Sequence, residues 1–226
     1  LYGTHLRHPV HWFLIVAVCL LVVLPACGSE PRGRYGFTLN TQVSCAVFAP
    51  DSKYIVAGGH DGMFLLEVDR RKLVDRFPRD KDAGKLGVPS FEVVAVSPDG
   101  KYVASAGAWK PVRVWNVQTG RLVRSFDMDR AALQSLAFSP DSKRLAAGTA
   151  YRLHEDRNLL YEAVYDIWLW DVAQKDDKPI IFRGHEAPVR AIAFLPDGKR
   201  IVSVSSEWIL RLWDVATQLE LRRSGT

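Results

Sequence analysis

Acid–base residue types stand side by side at two places in this chain. His154, Glu155 and Asp156 are consecutive, and His60 precedes Asp61. Histidine and carboxylate groups transfer protons in many hydrolytic reactions, but they must converge on one substrate, and neighbours along a strand or loop point in different directions. The sequence has no HExxH, GxSxG, P-loop or dinucleotide-binding spacing. We therefore assign no catalytic residue and expect a protein that is not an enzyme.

A metal site has equally little support. Asp80, Asp82 and Gly84 loosely resemble the opening of a calcium-binding loop, but the later oxygen ligands and the closing glutamate are missing at the required spacing. We interpret this segment as a solvated charged loop. No metal and no cofactor are expected.

Charge and cysteine content exclude two further classes. The net charge of +5 is spread along 226 residues, with Lys and Arg interleaved with Asp and Glu. A nucleic-acid binder usually shows a basic stripe or a recognisable module, so no nucleic-acid partner is expected. The three cysteines, Cys19, Cys27 and Cys45, form no CxxC pair, which argues against a disulfide framework.

The N-terminus has the composition of an export signal. A weakly basic start precedes an apolar stretch from Phe13 to Leu24. As a helix, these twelve residues would span about 18 Å, short of the roughly 30 Å hydrocarbon core of a bilayer. Residues 1–26 are therefore predicted to be a secretory signal peptide.

The end of this segment bears on where the exported protein is held. Leu24-Pro25-Ala26-Cys27 resembles the cleavage motif of bacterial lipoproteins. The resemblance implies that Cys27 becomes a lipid-carrying N-terminus and that residues 27–36 form a flexible tether, whereas a plain cleaved signal and an uncleaved anchor remain alternatives. We expect an exported protein, anchored in a bacterial cell envelope, with the outer membrane or the periplasmic face favoured.

The rest of the chain repeats one unit four times. An apolar run leads to a Pro-Asp-Ser/Gly-Lys turn, which begins at Pro50, Pro98, Pro140 and Pro196, and two further runs come after it. The last three units end in Trp115-Asn116, Trp170-Asp171 and Trp213-Asp214. Repeats of this length predict stacked supersecondary units. We expect an all-β propeller of four antiparallel four-stranded blades over residues 37–226.

The last unit carries the most detailed pattern. Its Gly184-His185 and Trp213-Asp214 pairs resemble the WD40 repeat family, in which a histidine, a serine, a turn aspartate and a tryptophan brace each blade by hydrogen bonds. The resemblance gives bracing roles to His185, Ser203, Trp213 and Asp214, with Glu207 at the turn-aspartate position and Trp208 in place of the usual glycine. By the same pattern, Trp115, Trp170 and Asp171 brace other blades. Trp109, Trp168 and Trp208 are expected to pack between blades.

Four blades leave a question of closure. An open arc would expose the outer faces of its first and last blades. A small closed ring, an arc that associates with itself and a piece of a longer protein all remain open, and we favour a partial ring of the last kind. In closed WD40 rings an N-terminal strand often completes the last blade, a role that Tyr35 to Leu39 could take.

Binding is expected in the loops. The segment from Ala150 to Asp166 interrupts the third unit, and Tyr151, His154, Tyr161 and Tyr165 are its candidate binding-rim residues. An extended hairpin that merely covers neighbouring surface remains an alternative. The resemblance implies a non-catalytic scaffold for a protein partner, held at the membrane by lipid or anchor. A TolB-like or hydrolase-associated propeller, with its catalytic part outside this chain, is the second candidate.

Overall fold

The computed structural model describes residues 39, 42–59, 62–77, 93–107, 111–128, 131–153, 161–162, 165–174 and 178–224. This part of the chain is built from strands and turns. The predicted signal peptide, the tether with Cys27, and the loop from Pro78 to Ser90 lie outside it. Among these residues, no helix has the length and apolar character needed to cross a membrane.

The first two blades are regular four-stranded antiparallel sheets. Blade 1 contains β1 (Val43–Phe48), β2 (Tyr54–Gly59), β3 (Gly62–Glu67) and β4 (Lys72–Phe77). Blade 2 contains β5 (Val93–Val96), β6 (Tyr102–Ala106), β7 (Val112–Asn116) and β8 (Leu122–Phe126).

The last two blades have the same order with one addition. Blade 3 contains β9 (Ala131–Phe138), β10 (Arg144–Leu153), β11 (Tyr161–Glu162), β12 (Ile167–Asp171) and β13 (Ile180–Phe182). Blade 4 contains β14 (Val189–Phe194), β15 (Arg200–Ser205), β16 (Leu210–Asp214) and β17 (Glu220–Arg223). The added strand β11 pairs with the end of β10, where the sequence predicted an interrupting loop.

The Pro-Asp turns explain how the first two strands of each blade connect. In each turn the aspartate Oδ1 accepts a hydrogen bond from the amide two residues later, as Asp197 does from Lys199 at 2.9 Å. The residue between them takes a left-handed backbone, with φ +66° at Gly198 and φ +62° at Ser142. The small third residue of the motif is therefore what the turn requires.

Apolar side chains lie between the blades. The largest cluster joins blades 2 and 3, where Phe126 stacks on Trp170 with ring centroids 5.0 Å apart. A second cluster joins blades 3 and 4 around Leu169, Ile201 and Trp213, and a third joins blades 1 and 2. The inner strands β1, β5, β9 and β14 contact one another in that order. The predicted fold, a WD40-like propeller of antiparallel blades, is confirmed.

One sequence prediction about packing was wrong. Trp208 does not lie between blades, since 87% of its surface is exposed. Of the segment from Tyr35 to Leu39, only Leu39 is described, and it packs on blade 1 with Phe64 and Leu66. The role of this segment in completing a last blade stays a prediction, because residues 35–38 lie outside the described part of the chain.

Candidate functional site

The buried centre of blade 4 is a hydrogen-bonded triad of the residues that the sequence singled out. His185 Nε2 lies 2.6 Å from Ser203 Oγ, and Trp213 donates its Nε1 hydrogen to the same Oγ at 2.8 Å. The His185 and Trp213 rings meet edge to face at 5.8 Å. All three side chains are buried, so the triad ties the loop before β14 to two strands of its blade.

The pairing register of β15 and β16 explains why Ser203 and Trp213 meet. Ser203 on β15 pairs with Arg211 on β16, which places Trp213 two residues further along the same face. That face points toward blade 3, whereas Leu210 and Leu212 point the other way, as the strand alternation predicted.

Arg211 is a member of this cluster that sequence reasoning missed. Its guanidinium lies 6.0 Å from the Trp213 ring and pairs through Nη1 with the Glu220 carboxylate on β17. The same Nη1 stands 3.1 Å from where a side chain at Gly184 would begin, and Gly184 has φ +138°. Glycine before His185 is therefore favoured by the backbone conformation, and a side chain there would crowd the Arg211 guanidinium. An Arg two residues before the Trp, as in Arg211 and again in Arg113, was the available signal.

The environment of His185 makes it a poor acid or base near neutral pH. Burial, and then the Arg211 charge, lower the pKa of His185 to about 4, against a smaller opposing effect of Glu220. The imidazole is thus neutral at pH 7. Its Nδ1 has no hydrogen-bond partner among the described residues, and Glu207, at the turn-aspartate position, is exposed.

The other predicted bracing residues fall into two groups. Trp115 repeats the Trp–Ser contact in blade 2, with Nε1 donating to Ser105 Oγ at 3.1 Å. Trp170 of blade 3 is buried, but Ala147 occupies the position that corresponds to the serine. Within the described structure, Nε1 of Trp170 therefore lacks a hydrogen-bond partner. Packing on Phe126 holds this tryptophan instead.

The aspartates after the tryptophans shape turns and stay outside the buried triad. Asp214 Oδ1 accepts hydrogen bonds from the Thr217 amide at 2.8 Å and the Thr217 hydroxyl at 2.9 Å. These bonds hold the pKa of the Asp214 carboxyl below its usual value. Asp171 likewise accepts from the Ala173 amide at 2.8 Å. Both aspartates therefore order the turn between the third and fourth strands.

The candidate binding rim begins as a β-hairpin. The register pairs Arg152 with Glu162 and Leu153 with Tyr161, so Tyr161 lies on its second arm and Tyr151 on its first. His154 lies outside the described residues. Tyr165 is half-buried at the base, where Asp166 forms an ion pair with Arg183 at 3.6 Å. Thr149 Oγ1 also accepts from the Asp166 amide at 2.8 Å, which anchors the base to β10.

A shallow cleft opens at the other ends of blades 1 and 2. It has a volume of about 450 Å³ and lies between the two Pro-Asp turns, with Pro50 and Pro98 at its edge. Aliphatic side chains from both blades form most of its lining. The described residues hold no group of three His, Cys, Asp or Glu side chains that could bind a metal ion.

A family model described as "WD domain, G-beta repeat" matches residues 33–66 and residues 178–214. These two segments are therefore similar to WD40 repeats. The second match runs from β13 through β16, so the sequence repeat starts one strand before the blade that contains the triad. His185, Ser203 and Trp213 all lie inside that WD40 match.

Three similar proteins illustrate what this chain resembles. WD repeat-containing protein SL1-17 of Schistosoma mansoni is 26% identical over 73% of this chain and 62% of its own length. The guanine nucleotide-binding protein subunit beta of Schizosaccharomyces pombe is 28% identical over 58% of this chain and 38% of its own length. A solved structure of U3-55K shares the fold, with TM-score 0.63 and 21% identity over 83% of this chain and 53% of that chain. The chain thus spans less than two thirds of the length of these proteins.

Proposed function

We propose that this WD40 chain is a non-catalytic scaffold that binds a protein partner at the cell envelope, to which it is exported and anchored through Cys27. WD-repeat relatives support the scaffold role, since propellers of this kind generally bind proteins. The envelope location rests on the apolar stretch from Phe13 to Leu24 and on the cysteine that comes after it.

The observation that carries the scaffold proposal is how firmly the base of the rim hairpin is anchored. Hydrogen bonds between Thr149 and Asp166, together with the Asp166–Arg183 ion pair, join the base of the hairpin to β10 and to the segment after β13 of the same blade. A binding loop with a fixed base loses less conformational entropy when a partner orders it.

Partner binding is tested with a shortened hairpin. Residues 154–160 are replaced by Asn-Gly, which closes β10 and β11 with a two-residue turn. A matched control changes the exposed turn of blade 4 by Ala216→Ser. Cross-linking in intact cells followed by mass spectrometry should recover a protein partner with the wild type and the control, but not with the shortened variant. Equal recovery from all three would refute the binding role of the hairpin.

The envelope location needs a separate experiment. Metabolic labelling with an alkyne fatty acid should modify the wild type in a bacterial host, and Cys27→Ser should abolish the label and release the protein from the membrane fraction. Mass spectrometry of the mature N-terminus should start at residue 27. An intact stretch from Phe13 to Leu24 would contradict cleavage, whatever the result for the hairpin.

A further inference from the structure

Neighbouring Pro-Asp turns lie against each other at two blade interfaces. Between blades 2 and 3, the Asp99 amide donates a hydrogen bond to Ser142 Oγ at 3.1 Å. Between blades 3 and 4, a side chain at Gly198 would begin 3.8 Å from Pro140 Cδ. Between blades 1 and 2, a side chain at the equivalent Gly100 would meet nothing within 4 Å. The cleft between blades 1 and 2 therefore opens where the other two described interfaces close.

Two residues of blade 2 explain why the cleft opens. Gly100 stands where blade 3 has Ser142, so it offers no hydroxyl to the turn of blade 1. The pairing registers place Val96, at the end of β5, where blades 3 and 4 have Phe138 and Phe194. Both phenylalanines pack in the cluster that their blade shares with the preceding one. The smaller valine leaves that space unfilled.

The lining of the cleft suits an aromatic side chain. Val56 and Val103 form its floor and are each 1% exposed. Tyr54 of blade 1 lines it as well. At the next interface, the equivalent Tyr102 packs on the cluster that contains Phe138. Tyr54 therefore borders a space that holds a phenylalanine in the neighbouring interface.

The charge at the cleft is negative. Asp51 and Asp99 are the only charged residues in the lining that the described part of the chain forms. Asp99 forms an ion pair with Lys101 at 3.4 Å. Asp51 accepts a hydrogen bond from the Lys53 amide, but within the described structure it forms no ion pair. Its carboxylate is therefore available to a positive charge on a ligand.

We propose that the cleft binds an aromatic side chain of a partner protein, and that a basic residue next to it in the partner pairs with Asp51. The aromatic ring takes the place that Phe138 and Phe194 fill in the other interfaces, so the partner completes a contact between two blades. Burial of one such ring supplies most of the affinity, and the ion pair selects the charge beside it.

This site is separate from the binding rim. The Pro-Asp turns join the first two strands of blades 1 and 2, whereas the rim hairpin joins the second and third strands of blade 3. In an antiparallel blade these two kinds of connection lie at opposite ends of the strands. The proposal depends neither on the hairpin nor on the envelope location.

Capped dipeptides test the proposal on the full chain in detergent. Isothermal titration calorimetry, with detergent blanks, compares N-acetyl-phenylalanyl-arginine amide with two matched probes. The alanyl-arginine probe should bind at least tenfold more weakly, because it lacks the ring. The phenylalanyl-glutamate probe should bind about threefold more weakly, because an exposed ion pair contributes little. Equal binding of the phenylalanyl and alanyl probes, or no binding of any probe at 10 mM, would overturn the proposal.

Variants of the chain show whether the probe occupies the cleft. Val96→Phe fills the cleft from within and should abolish binding of phenylalanyl-arginine. The control Val123→Phe makes the same change at an exposed residue of β8 outside the cleft and should bind like the wild type. Asp51→Asn should remove the preference for arginine over glutamate. Unchanged binding by a folded Val96→Phe chain, or an unchanged preference in Asp51→Asn, would refute the site.

Two further chains complete the test. Should Val96→Phe fail to fold, Gly100→Ser decides, since it gives the blade 1 turn a hydroxyl and narrows the cleft; Ser142 adopts the same left-handed backbone, with φ +62°. Its binding should be weaker than that of the wild type, and equal binding would count against the cleft. The chain with the shortened hairpin should lose the cross-linked partner but bind the dipeptide normally, which distinguishes failure of this site from failure of the rim.

Discussion

Trp213 donates its indole hydrogen to the Ser203 hydroxyl at 2.8 Å, and this bond joins two neighbouring strands inside blade 4. The same hydroxyl contacts His185 from the loop before the blade. One small side chain therefore serves two buried nitrogen atoms, whose hydrogen bonds are costly to lose in a water-free interior.

The first prediction concerns removal of the Ser203 hydroxyl. Ser203→Ala should lower the free energy of unfolding by about 2 kcal/mol, because it leaves a buried nitrogen on each of His185 and Trp213 without its partner. The matched control is Ser105→Ala in blade 2, where Trp115 alone loses a partner, so the loss should be about half as large. Urea denaturation followed by tryptophan fluorescence measures both. Equal losses would contradict a shared role for Ser203.

A second prediction concerns pH. The pKa of His185 is about 4 when folded, below its ordinary value of 6.5, so the unfolded chain binds this proton more readily. The contribution of His185 to stability is therefore complete above about pH 6.5 and is lost as the pH falls toward 4. The pKa values of Asp141 and Asp214 are also lowered, by the Ser139 and Thr217 hydrogen bonds, but these carboxyls act at lower pH.

Thermal melting across this range separates the histidine from the aspartates. His185→Gln keeps a polar group at the site without a titrating imidazole, so its melting temperature should fall less between pH 6.5 and 4.5 than that of the wild type. If the melting temperatures of the two proteins fell equally with pH, the proton that lowers stability would bind a group other than His185.

The third prediction concerns the ion pair of Arg211 with Glu220. Glu220→Gln leaves the guanidinium nearly buried beside a neutral partner, which should cost about 2 kcal/mol of unfolding free energy. Replacement of both residues, by Arg211→Met with Glu220→Gln, removes the charge that needs a partner and should recover part of that loss. Chemical denaturation of the two single variants and the double variant gives the coupling energy. A double variant as unstable as the sum of the single ones would contradict this account.

Trp208 is the subject of the fourth prediction. It has φ +65° and an exposed side chain, so its backbone carries left-handed strain that packing does not offset. Trp208→Gly should stabilise the fold by about 1 kcal/mol, because glycine adopts this conformation readily. Trp208→Ala is the control, since it keeps the strain and should give no gain. A melting temperature that rises equally in both variants would show that the exposed indole ring, rather than the left-handed backbone, destabilises the wild type.

Local patterns made most of the fold predictable. The Pro-Asp turns and the apolar runs on either side of them placed three strands of each blade, and the triad could be named because His185, Ser203 and Trp213 have WD40 spacing. Arg211 was missed because the Arg-x-Trp spacing indicates its position but not its partner, Glu220, which lies on another strand. Trp208 was misplaced because a large apolar side chain is expected to be buried, and the sequence does not show which residues surround it.

The sequence by itself determined the strands, their turns and the residue types that brace a blade, since these depend on alternation and on backbone preferences within a few residues. Only the tertiary structure decided which faces are covered. Leu169 and Leu212 occupy equivalent strand positions, yet one is buried and the other half-exposed, because burial depends on whether a neighbouring blade lies against the face.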